Sequence, residues 1–254
     1  MEGEGLVRPG ALALVVGASS GIGASVARAL SAEGVTVIAA SRSKDRLENL
    51  VADLITDLGA SAHALTLDVS DEASVSSVLE RLPPALQAVD ILINCAGHDV
   101  GGRQRFDVGA AADWASIIDV NVTGMIRVCH AVIPGMLARG RGHVVNIGSV
   151  AGLKTYPGGS IYAASKHAVR AFTEGLRADY ADQEIRITEV LPGLTRTEFA
   201  ERRWSGDRSA ADQFYDNAPQ VLLPEDVANS VVFALKQPPH VNLAQILIMP
   251  TREA

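Results

Sequence analysis

The sequence lacks the features that define several classes of protein. It has two cysteines, Cys95 and Cys129, which cannot form a disulfide framework, and it contains no CxxC or HExxH pattern. No metal site is therefore predicted. Acidic residues outnumber basic ones and give a net charge of −7. This charge argues against a nucleic-acid or acidic-membrane partner, because affinity for phosphate groups comes largely from Lys and Arg.

Long apolar runs and a signal-peptide pattern are also missing. No run approaches the roughly 20 apolar residues that a membrane helix needs. The first ten residues lack the basic and apolar regions of a signal peptide. The expectation is a soluble, cytoplasmic protein with no membrane partner. A length of 254 residues, 48% of them apolar, fits one domain over 1–254 with its own core.

Short apolar runs alternate with longer segments of helical spacing. The runs predicted as strands lie at 11–16, 35–40, 62–67, 89–94, 143–148, 185–190 and 244–249. Most are apolar almost throughout, as expected for strands that helices cover on both faces. Helical spacing occupies 23–34 and 43–59, and 70–82 is predicted as a helix capped by Ser70. This order predicts an α/β fold around a parallel sheet with right-handed crossovers.

One long stretch, 192–223, follows no regular pattern. It mixes proline and glycine with charged and aromatic residues. An irregular segment of this length in a compact domain is often a lid or a binding segment. We therefore predict a mobile substrate loop at this place in the chain.

A glycine-rich turn follows the first predicted strand. Gly17, Gly21 and Gly23 stand in the spacing GxxxGxG, where the strand passes into the first helix. Glycine there lets the backbone turn tightly and approach a pyrophosphate at a helix N-terminus. Three glycines alone could form a plain turn, but their place in an alternating α/β chain favours nucleotide binding.

The end of the second predicted strand bears on the choice of cofactor. A carboxylate at this position would bind the ribose 2′-hydroxyl of NAD, whereas a nearby arginine accommodates the 2′-phosphate of NADP. The sequence has Ser41 and Arg42 here and no acid before Asp45. Arg42 could equally be a solvated residue at a strand end. The missing acid favours NADP over NAD.

Tyr162 and Lys166 lie four residues apart in an alanine-rich helical segment. Residues at this spacing share one face of a helix. An ammonium group held there could stabilise a phenolate and lower a tyrosine pKa that is ordinarily about 10. Two polar residues can also meet on a helix face by chance, so the pair alone does not decide between the two interpretations.

Six short motifs together resemble the short-chain dehydrogenase/reductase family. They are GASSGIG (17–23), NCAG (94–97), NVTG (121–124), IGS (147–149), YAASK (162–166) and PGLTRT (192–197), in the family's order and spacing. The resemblance runs from about residue 11 to the C-terminus. It implies a single Rossmann-type, doubly wound domain with a parallel sheet of about seven strands and helices on both faces. It also implies a homotetramer or homodimer and hydride transfer between NAD(P) and an alcohol/carbonyl pair.

The resemblance assigns roles to four residues. Tyr162 matches the acid/base that exchanges a proton with the substrate oxygen. Lys166 matches the residue that lowers the tyrosine pKa and binds the nicotinamide ribose. Ser149 matches the hydroxyl that binds the substrate oxygen, and Asn121 matches the residue that anchors a water linked to the lysine. Ser149 and Asn121 could also be ordinary structural residues. The YAASK motif at the expected spacing argues against that alternative.

The resemblance also implies a set of cofactor-binding residues. Asp68 matches an acid that accepts from the adenine amino group, Asn94, Ala96 and Gly97 match the adenosine ribose site, and Thr197 matches the nicotinamide or pyrophosphate region. The complete predicted set is Gly17, Ser19, Ser20, Gly21, Ile22, Gly23, Ser41, Arg42, Asp68, Val69, Asn94, Ala96, Gly97, Tyr162, Lys166, Pro192, Gly193, Thr195 and Thr197. Two positions depart from the family, Val16 for a threonine and Cys95 for an asparagine, and we interpret them as a local change to apolar packing.

The second half of the chain is similar to bacterial NADP-dependent 3-hydroxy acid and serine dehydrogenases and to sulfoacetaldehyde reductases. Their substrates are small and anionic, so the resemblance implies a substrate site with a cation. Arg203 matches an arginine of that group and Tyr156 a tyrosine near its site, so the predicted substrate residues are Ser149, Tyr156, Tyr162 and Arg203. The alternative for Arg203 is a solvated helix face. Guanidinium suits a carboxylate because it offers two parallel donors.

Three questions stay open at this level. The segment 98–107 differs from that group, and its His98, Asp99 and Arg103 could select a polyol or another polar substrate, or be solvated loop residues. A neutral ketone, sugar or polyol is therefore the alternative substrate class. A catalytically inactive NADP sensor on the same fold is a more distant alternative.

The resemblance implies that helices around 110–138 and 160–182 supply the main subunit interface.

Overall fold

Seven parallel strands form one sheet in the order β3-β2-β1-β4-β5-β6-β7. The structure is a computed structural model that describes residues 5–204 and 206–252, so the ends of the predicted 1–254 domain and residue 205 of the predicted substrate loop lie outside it. The strands are β1 Leu12–Val16, β2 Thr36–Ser41, β3 Ala62–Thr66, β4 Ile91–Asn94, β5 Gly142–Ile147, β6 Ile185–Pro192 and β7 Gln245–Ile248. The predicted fold class and all seven predicted strands are confirmed.

Helices connect the strands and cover both faces of the sheet. Within the described residues they are α1 Gly21–Ala32, α2 Lys44–Leu58, α3 Glu72–Ser76, α4 Ala111–Ile118, α5 Gly124–Arg139, α6 Ser160–Asp179, α7 Phe199–Arg203, α8 Arg208–Asp216 and α9 Pro224–Leu235. The stretch 192–223 was expected to be irregular but contains two short helices, α7 and α8. Asp207 caps α8, because its carboxylate accepts from the backbone nitrogen of Ala210 at 3.0 Å.

The predicted helix 70–82 is wrong in both its length and its cap. The helix is only α3, and its cap is Asp71, whose Oδ1 accepts from the backbone nitrogen of Ala73 at 3.0 Å. Ser70 cannot serve as the cap because its hydroxyl donates to Asp68 Oδ1 at 2.6 Å instead. A serine bonded to the preceding carboxylate leaves the capping position to the next residue.

The sheet separates two apolar cores because successive side chains of each strand point to opposite faces. In β1, Ala13 and Val15 face a core that includes apolar residues of α1, α2 and α9. Leu14 and Val16 of the same strand face a core that includes residues of α5 and α6. This double coverage explains why the strands are apolar almost throughout their length.

The helical run 111–139 is long and apolar enough to cross a membrane by length and composition alone, contrary to the expectation that no such run exists. It comprises α4, one wide π-helical turn at Asp119–Thr123, and α5. Its most apolar window has a mean hydropathy of 1.4, and 44% of that window is buried within the fold. Val128, Val132 and Met136 of α5 lie in the second core. Since the core helices of soluble proteins pass the same test, this run is at most a weak indication of a membrane span.

The strand order reverses between β1 and β4, which are neighbours in the sheet. From β1 the chain extends the sheet through β2 and β3, and it then returns to β4 on the other side. The loops after β1 and β4 therefore diverge and leave a crevice at the carboxyl ends of the strands. Ligands of doubly wound sheets bind in such a crevice.

Candidate active site

The segment from the end of β1 into the first turn of α1 can hold only glycine at two positions. Gly17 has a φ of +86°, and a Cβ added there would lie 2.6 Å from the backbone nitrogen of Ala96. A Cβ added at Gly23 would lie 2.3 Å from the carbonyl oxygen of Gly17. The turn therefore packs directly against the segment after β4. Its glycines allow the close approach that a phosphate at the N-terminus of α1 requires.

A cavity of about 350 Å³ lies over this turn at the carboxyl end of the sheet. We call it the first cavity. Most of the predicted cofactor residues line it, namely Gly17, Ser19, Ser20, Gly21, Ile22, Gly23, Ser41, Arg42, Asp68, Val69, Ala96, Gly97 and Thr197. The glycine-rich turn, the end of β2 and the segment after β4 thus share one concave surface of the size expected for a ligand site.

Asn94 departs from its predicted place in the ribose site. It is buried in β4, where its Nδ2 donates to Asn146 Oδ1 at 2.8 Å and to Cys129 Sγ at 3.3 Å. Its side chain therefore joins β4 to β5 and α5 and does not line the first cavity. Cys95 does line that cavity, and burial raises the pKa of its thiol to about 12. A thiol with this pKa is neutral at physiological pH, which agrees with the packing role expected for Cys95.

Two charged side chains face the outer end of the first cavity. Partial burial raises the pKa of Asp68. The hydrogen bonds from the hydroxyl and backbone nitrogen of Ser70 and the charge of Arg42 together lower it by more, so the pKa lies below its ordinary value. Asp68 is thus an ionised acceptor. Arg42 is exposed and makes no hydrogen bond or ion pair with any residue that the structure describes, so its guanidinium is available to a ligand.

A second cavity, of about 270 Å³, adjoins the first. The two cavities share part of their lining, namely Ile22, Cys95, Gly97, Thr197 and Phe199. Apart from Asn94, which lines neither cavity, the remaining predicted cofactor residues line the second cavity, together with all the predicted substrate residues, and these are Ser149, Tyr156, Tyr162, Lys166, Pro192, Gly193, Thr195 and Arg203. The fold therefore brings the two predicted sets of residues to one continuous opening.

Ser149, Tyr162 and Lys166 meet at the second cavity because β5 ends beside the first turns of α6. Ser149 follows β5, and its hydroxyl is close enough to Tyr162 to lower the pKa of that tyrosine. Lys166 is one helical turn after Tyr162, as the spacing predicts, and its Nζ lies 5.8 Å from the centroid of the tyrosine ring. That Nζ donates to the carbonyl oxygen of Ile147 at 2.9 Å.

The electrostatics of this group differ from the expectation that Lys166 lowers the pKa of Tyr162. Burial raises the pKa of Tyr162 well above its ordinary value, and the hydroxyl of Ser149 and the charge of Arg203 only partly oppose this effect. Burial lowers the pKa of Lys166 to about 8, although Cys95 and Glu189 raise it. The difference has a geometric cause, because Nζ is directed to a backbone carbonyl and not to the phenol. The lowering of the tyrosine pKa by Lys166 remains a prediction.

Asn121 is fully buried in the π-helical turn. Its Oδ1 accepts from the backbone nitrogen of His98 at 2.8 Å, and its Nδ2 donates to the carbonyl oxygen of His98 at 2.9 Å and to Ser165 Oγ at 3.1 Å. The side chain therefore fixes the segment after β4 against α6. Its predicted role in anchoring a water is not tested by these contacts.

Arg203 lies in α7 and is buried, so the alternative of a solvated helix face is wrong. Its Nε donates to Asp99 Oδ2 at 2.7 Å, and the side chains of both residues are about 5% exposed. Its guanidinium also lies 5.3 Å from the centroid of Phe199 and 5.4 Å from that of Phe214. Burial raises the pKa of Asp99, and Arg203 opposes this rise. The ion pair ties the segment after β4 to α7 at the wall of the second cavity.

We expect the substitution Arg203→Ala to lower the free energy of unfolding by about 3–5 kcal/mol, because it leaves the Asp99 carboxylate buried without a partner. Urea unfolding measures the change. Adding Asp99→Asn to that variant should recover part of the loss. Arg105→Ala is the control, since the pair of Arg105 with Asp107 is exposed and is expected to contribute less than about 1 kcal/mol. A loss no larger than that of the control would contradict a stabilising role for the buried pair.

Several side chains of the site were not predicted as site residues. Arg202 lines the first cavity, and its Nη2 donates to Ser20 Oγ at 3.4 Å. Phe199 and Phe214 line the second cavity from α7 and α8. Their aromatic character and their position in the stretch 192–223 were the available signals. Among the described residues, no group of three His, Cys, Asp or Glu side chains is arranged to hold a metal ion.

Known proteins are similar to this chain over nearly its whole length. Residues 11–208 match a family model described as short chain dehydrogenase. The chain is 40% identical to sulfoacetaldehyde reductase 2 of Chromohalobacter salexigens, covering 96% of this chain and 95% of that protein. It is 39% identical to an NADP-dependent 3-hydroxy acid dehydrogenase of Schizosaccharomyces pombe, covering 94% and 92%. The closed form of a serine dehydrogenase complexed with NADP⁺ superposes with a TM-score of 0.90 at 36% identity, covering 96% of each chain.

Proposed function

The chain belongs to the short-chain dehydrogenase/reductase family, and from this we propose that it transfers a hydride between NADP(H) and a small polar hydroxy or carbonyl compound. We propose further that the substrate is a 3-hydroxy acid, a serine-like compound or a semialdehyde. The observation that carries the proposal is the second cavity, where Ser149, Tyr162 and Lys166 lie beside Arg203 and next to the first cavity.

The first cavity fits the cofactor. A Cβ at Gly17 or Gly23 would collide with backbone, so the turn needs glycine and offers its backbone to a pyrophosphate. Asp68 would accept from the adenine amino group, and Arg42 would bind the 2′-phosphate. NADP(H), when bound, supplies or accepts the hydride.

The residues of the second cavity bind the substrate oxygen and move its proton. Because Ser149 and Tyr162 line the same cavity and their hydroxyl groups lie close together, a single substrate oxygen can contact both. During reduction Tyr162 donates its phenolic proton to the carbonyl oxygen, and during oxidation it accepts the proton of the alcohol. Lys166, whose pKa of about 8 leaves it mostly protonated at pH 7, would stabilise the phenolate between these steps.

The function is tested by following absorbance near 340 nm while NADP⁺ or NAD⁺ is mixed with 3-hydroxypropanoate, L-serine, D-serine, 2-hydroxyethanesulfonate and a neutral polyol. The expected result is reduction of NADP⁺ by one or more of the compounds that carry a carboxylate or sulfonate. Turnover confined to the polyol would retain the reaction and overturn the substrate class. No turnover, with NADPH still bound, would favour the non-catalytic sensor.

Arg42→Ala should weaken NADPH binding by about 10- to 100-fold, because a charge-assisted phosphate contact is lost, while NADH binding changes little. Titration of NADPH or NADH fluorescence measures both dissociation constants. Arg46→Ala is the control, since Arg46 is an exposed arginine of α2 that pairs with Glu198 and does not line the first cavity. Equal weakening of both cofactors by Arg42→Ala would contradict the assignment of the 2′-phosphate site.

We also propose a homotetramer or homodimer whose main interface is built by helices around 110–138 and 160–182. Ile118 and Ile126 support this, because both are large apolar residues exposed on the helical run 111–139. Light scattering should give four or two times the chain mass of 26.6 kDa, and a monomer would contradict the proposal.

The two cysteines are unpaired, which suits a reducing compartment such as the cytoplasm. The stretch 192–223 is proposed to act as the mobile substrate loop.

A further inference from the structure

The second cavity carries more positive than negative charge. Arg103, Lys166 and Arg203 line it, and no carboxylate does so among the residues that the structure describes. Two buried carboxylates lie near these cations without lining the cavity: Asp99, which is bonded to Arg203, and Glu189, whose charge acts on Lys166. Three cations therefore stand against two nearby carboxylates, which leaves an excess of positive charge suited to an anion.

Arg103 differs from Arg203 in how its guanidinium is used. It makes no hydrogen bond or ion pair within the described parts of the chain, whereas the Nε of Arg203 is taken by Asp99. The carbon Cζ of Arg103 lies 4.7 Å from the ring centroid of Tyr156 and 4.8 Å from that of Phe214. Both rings thus contact the guanidinium, and neither contact uses its N–H donors.

The backbone also fixes Arg103 at this place. Gly158 has a φ of +73°, and a Cβ added there would lie 2.9 Å from the carbonyl carbon of Arg103. The segment after β4 therefore packs directly against the loop that precedes α6. Both guanidinium groups contact the ring of Phe214, with Arg203 at 5.4 Å. Burial and the charge of Arg203 lower the pKa of Arg103, a mutual repulsion that a bound anion would relieve.

We propose that Arg103 is the residue that selects the anionic group of the substrate, by donating two N–H groups to a carboxylate or sulfonate in the second cavity. Arg203 then acts mainly as the buried partner of Asp99 that holds the cavity wall. This inference rests on the proposed function and assigns its substrate selectivity to the segment 98–107, which sequence reasoning left undecided. A planar pair of N–H donors fits a carboxylate and a sulfonate equally, so the experiment must distinguish which of these two groups Arg103 recognises.

The test compares three NADP⁺-dependent substrates, namely 3-hydroxypropanoate, 2-hydroxyethanesulfonate and the neutral amide 3-hydroxypropanamide. The wild-type protein is expected to prefer one or both anions over the amide in kcat/KM. Arg103→Ala should reduce that preference by about 10- to 100-fold, mainly through KM, because a charge-assisted pair of hydrogen bonds is lost. The anion whose preference falls further identifies the group that Arg103 recognises.

Arg105→Ala is the matched control, because Arg105 lies two residues later in the same segment, is 82% exposed and pairs with Asp107. It should leave the preference unchanged. Arg103→Lys keeps the positive charge but lacks the planar pair of N–H donors, so it should lower the preference for anions by about three- to tenfold. This variant provides the test if Arg103→Ala fails to bind NADPH.

The outcomes separate this inference from the proposed function. A wild-type protein that turns over the amide as well as the anions, or neither, overturns the anionic substrate class itself. A wild-type preference for anions that Arg103→Ala leaves intact overturns the inference alone. Equal losses for anions and amide would also overturn it, because they would mean that Arg103 only supports the cavity wall.

Discussion

Replacing Tyr162 with phenylalanine is expected to lower kcat by about 10²- to 10⁴-fold, the contribution of a positioned general acid. The hydroxyl of Tyr162 is the group that exchanges a proton with the substrate oxygen, and the ring that remains still fills its buried place against Phe199, 5.5 Å away between centroids. NADPH binding should largely persist, since most of the predicted cofactor residues line the first cavity, which Tyr162 does not. Steady-state kinetics and NADPH fluorescence on the same preparation measure the two effects.

Tyr180→Phe is the matched control, because Tyr180 caps the C-terminal end of α6, far along the helix from Tyr162, and lines neither cavity. It should turn over substrate at the wild-type rate. If Tyr162→Phe also kept that rate, the proton would have another source and the assignment of Tyr162 would fail. If the wild type itself bound NADPH without any turnover, the non-catalytic sensor would become the better account.

Lys166→Met is expected to lower kcat/KM by about 10²- to 10⁴-fold, because the phenolate of Tyr162 loses the cation that stabilises it. The same change should stabilise the protein without cofactor. Burial lowers the pKa of Lys166 to about 8, which means that the fold carries an ammonium group at a cost. Removing it should raise the free energy of unfolding at pH 7 by about 1–3 kcal/mol. The unpaired Ile147 carbonyl offsets part of this gain.

The pH dependence of stability distinguishes this account from a simple packing effect. Below about pH 8 the lysine is protonated in both the folded and the unfolded protein, so its full cost is present. Between that pH and about 10.5 the folded protein binds fewer protons than the unfolded one, so the cost disappears as the pH rises. The stability advantage of Lys166→Met should therefore shrink from pH 8 to 10.5 in urea unfolding. An advantage independent of pH would contradict the buried charge as its cause.

Together the two predictions describe a site whose residues favour the reaction and lower the free energy of unfolding. Tyr162 and Lys166 are both buried, and burial disfavours the charged form of each. Substrate and cofactor must supply the interactions that compensate. Loss of activity with a gain in stability is the pattern expected when a residue is kept for its role in the reaction and not for the fold.

The sequence by itself determined the order of the elements and the position of the glycine-rich turn. Both depend on local rules. A short, almost entirely apolar run predicts a strand that is covered on both faces. The turn accepts only glycine at position 17, because a side chain there would collide with the backbone of Ala96. The helix face shared by Tyr162 and Lys166 follows from a spacing of four residues. The one wrong helix, predicted at 70–82, failed because Ser70 bonds to Asp68 and leaves the cap to Asp71.

Only the tertiary structure decided how the charges of the site are paired. Arg203 meets Asp99 across 104 residues of chain, and no local pattern predicts a bond over that separation. Arg103 contacts the rings of Tyr156 and Phe214, which come from two other segments. The pKa of Tyr162 in the protein without cofactor is likewise set mainly by how deeply α6 is buried. Burial and long-range contact set the strength of each charge, and both exist only after the chain has folded.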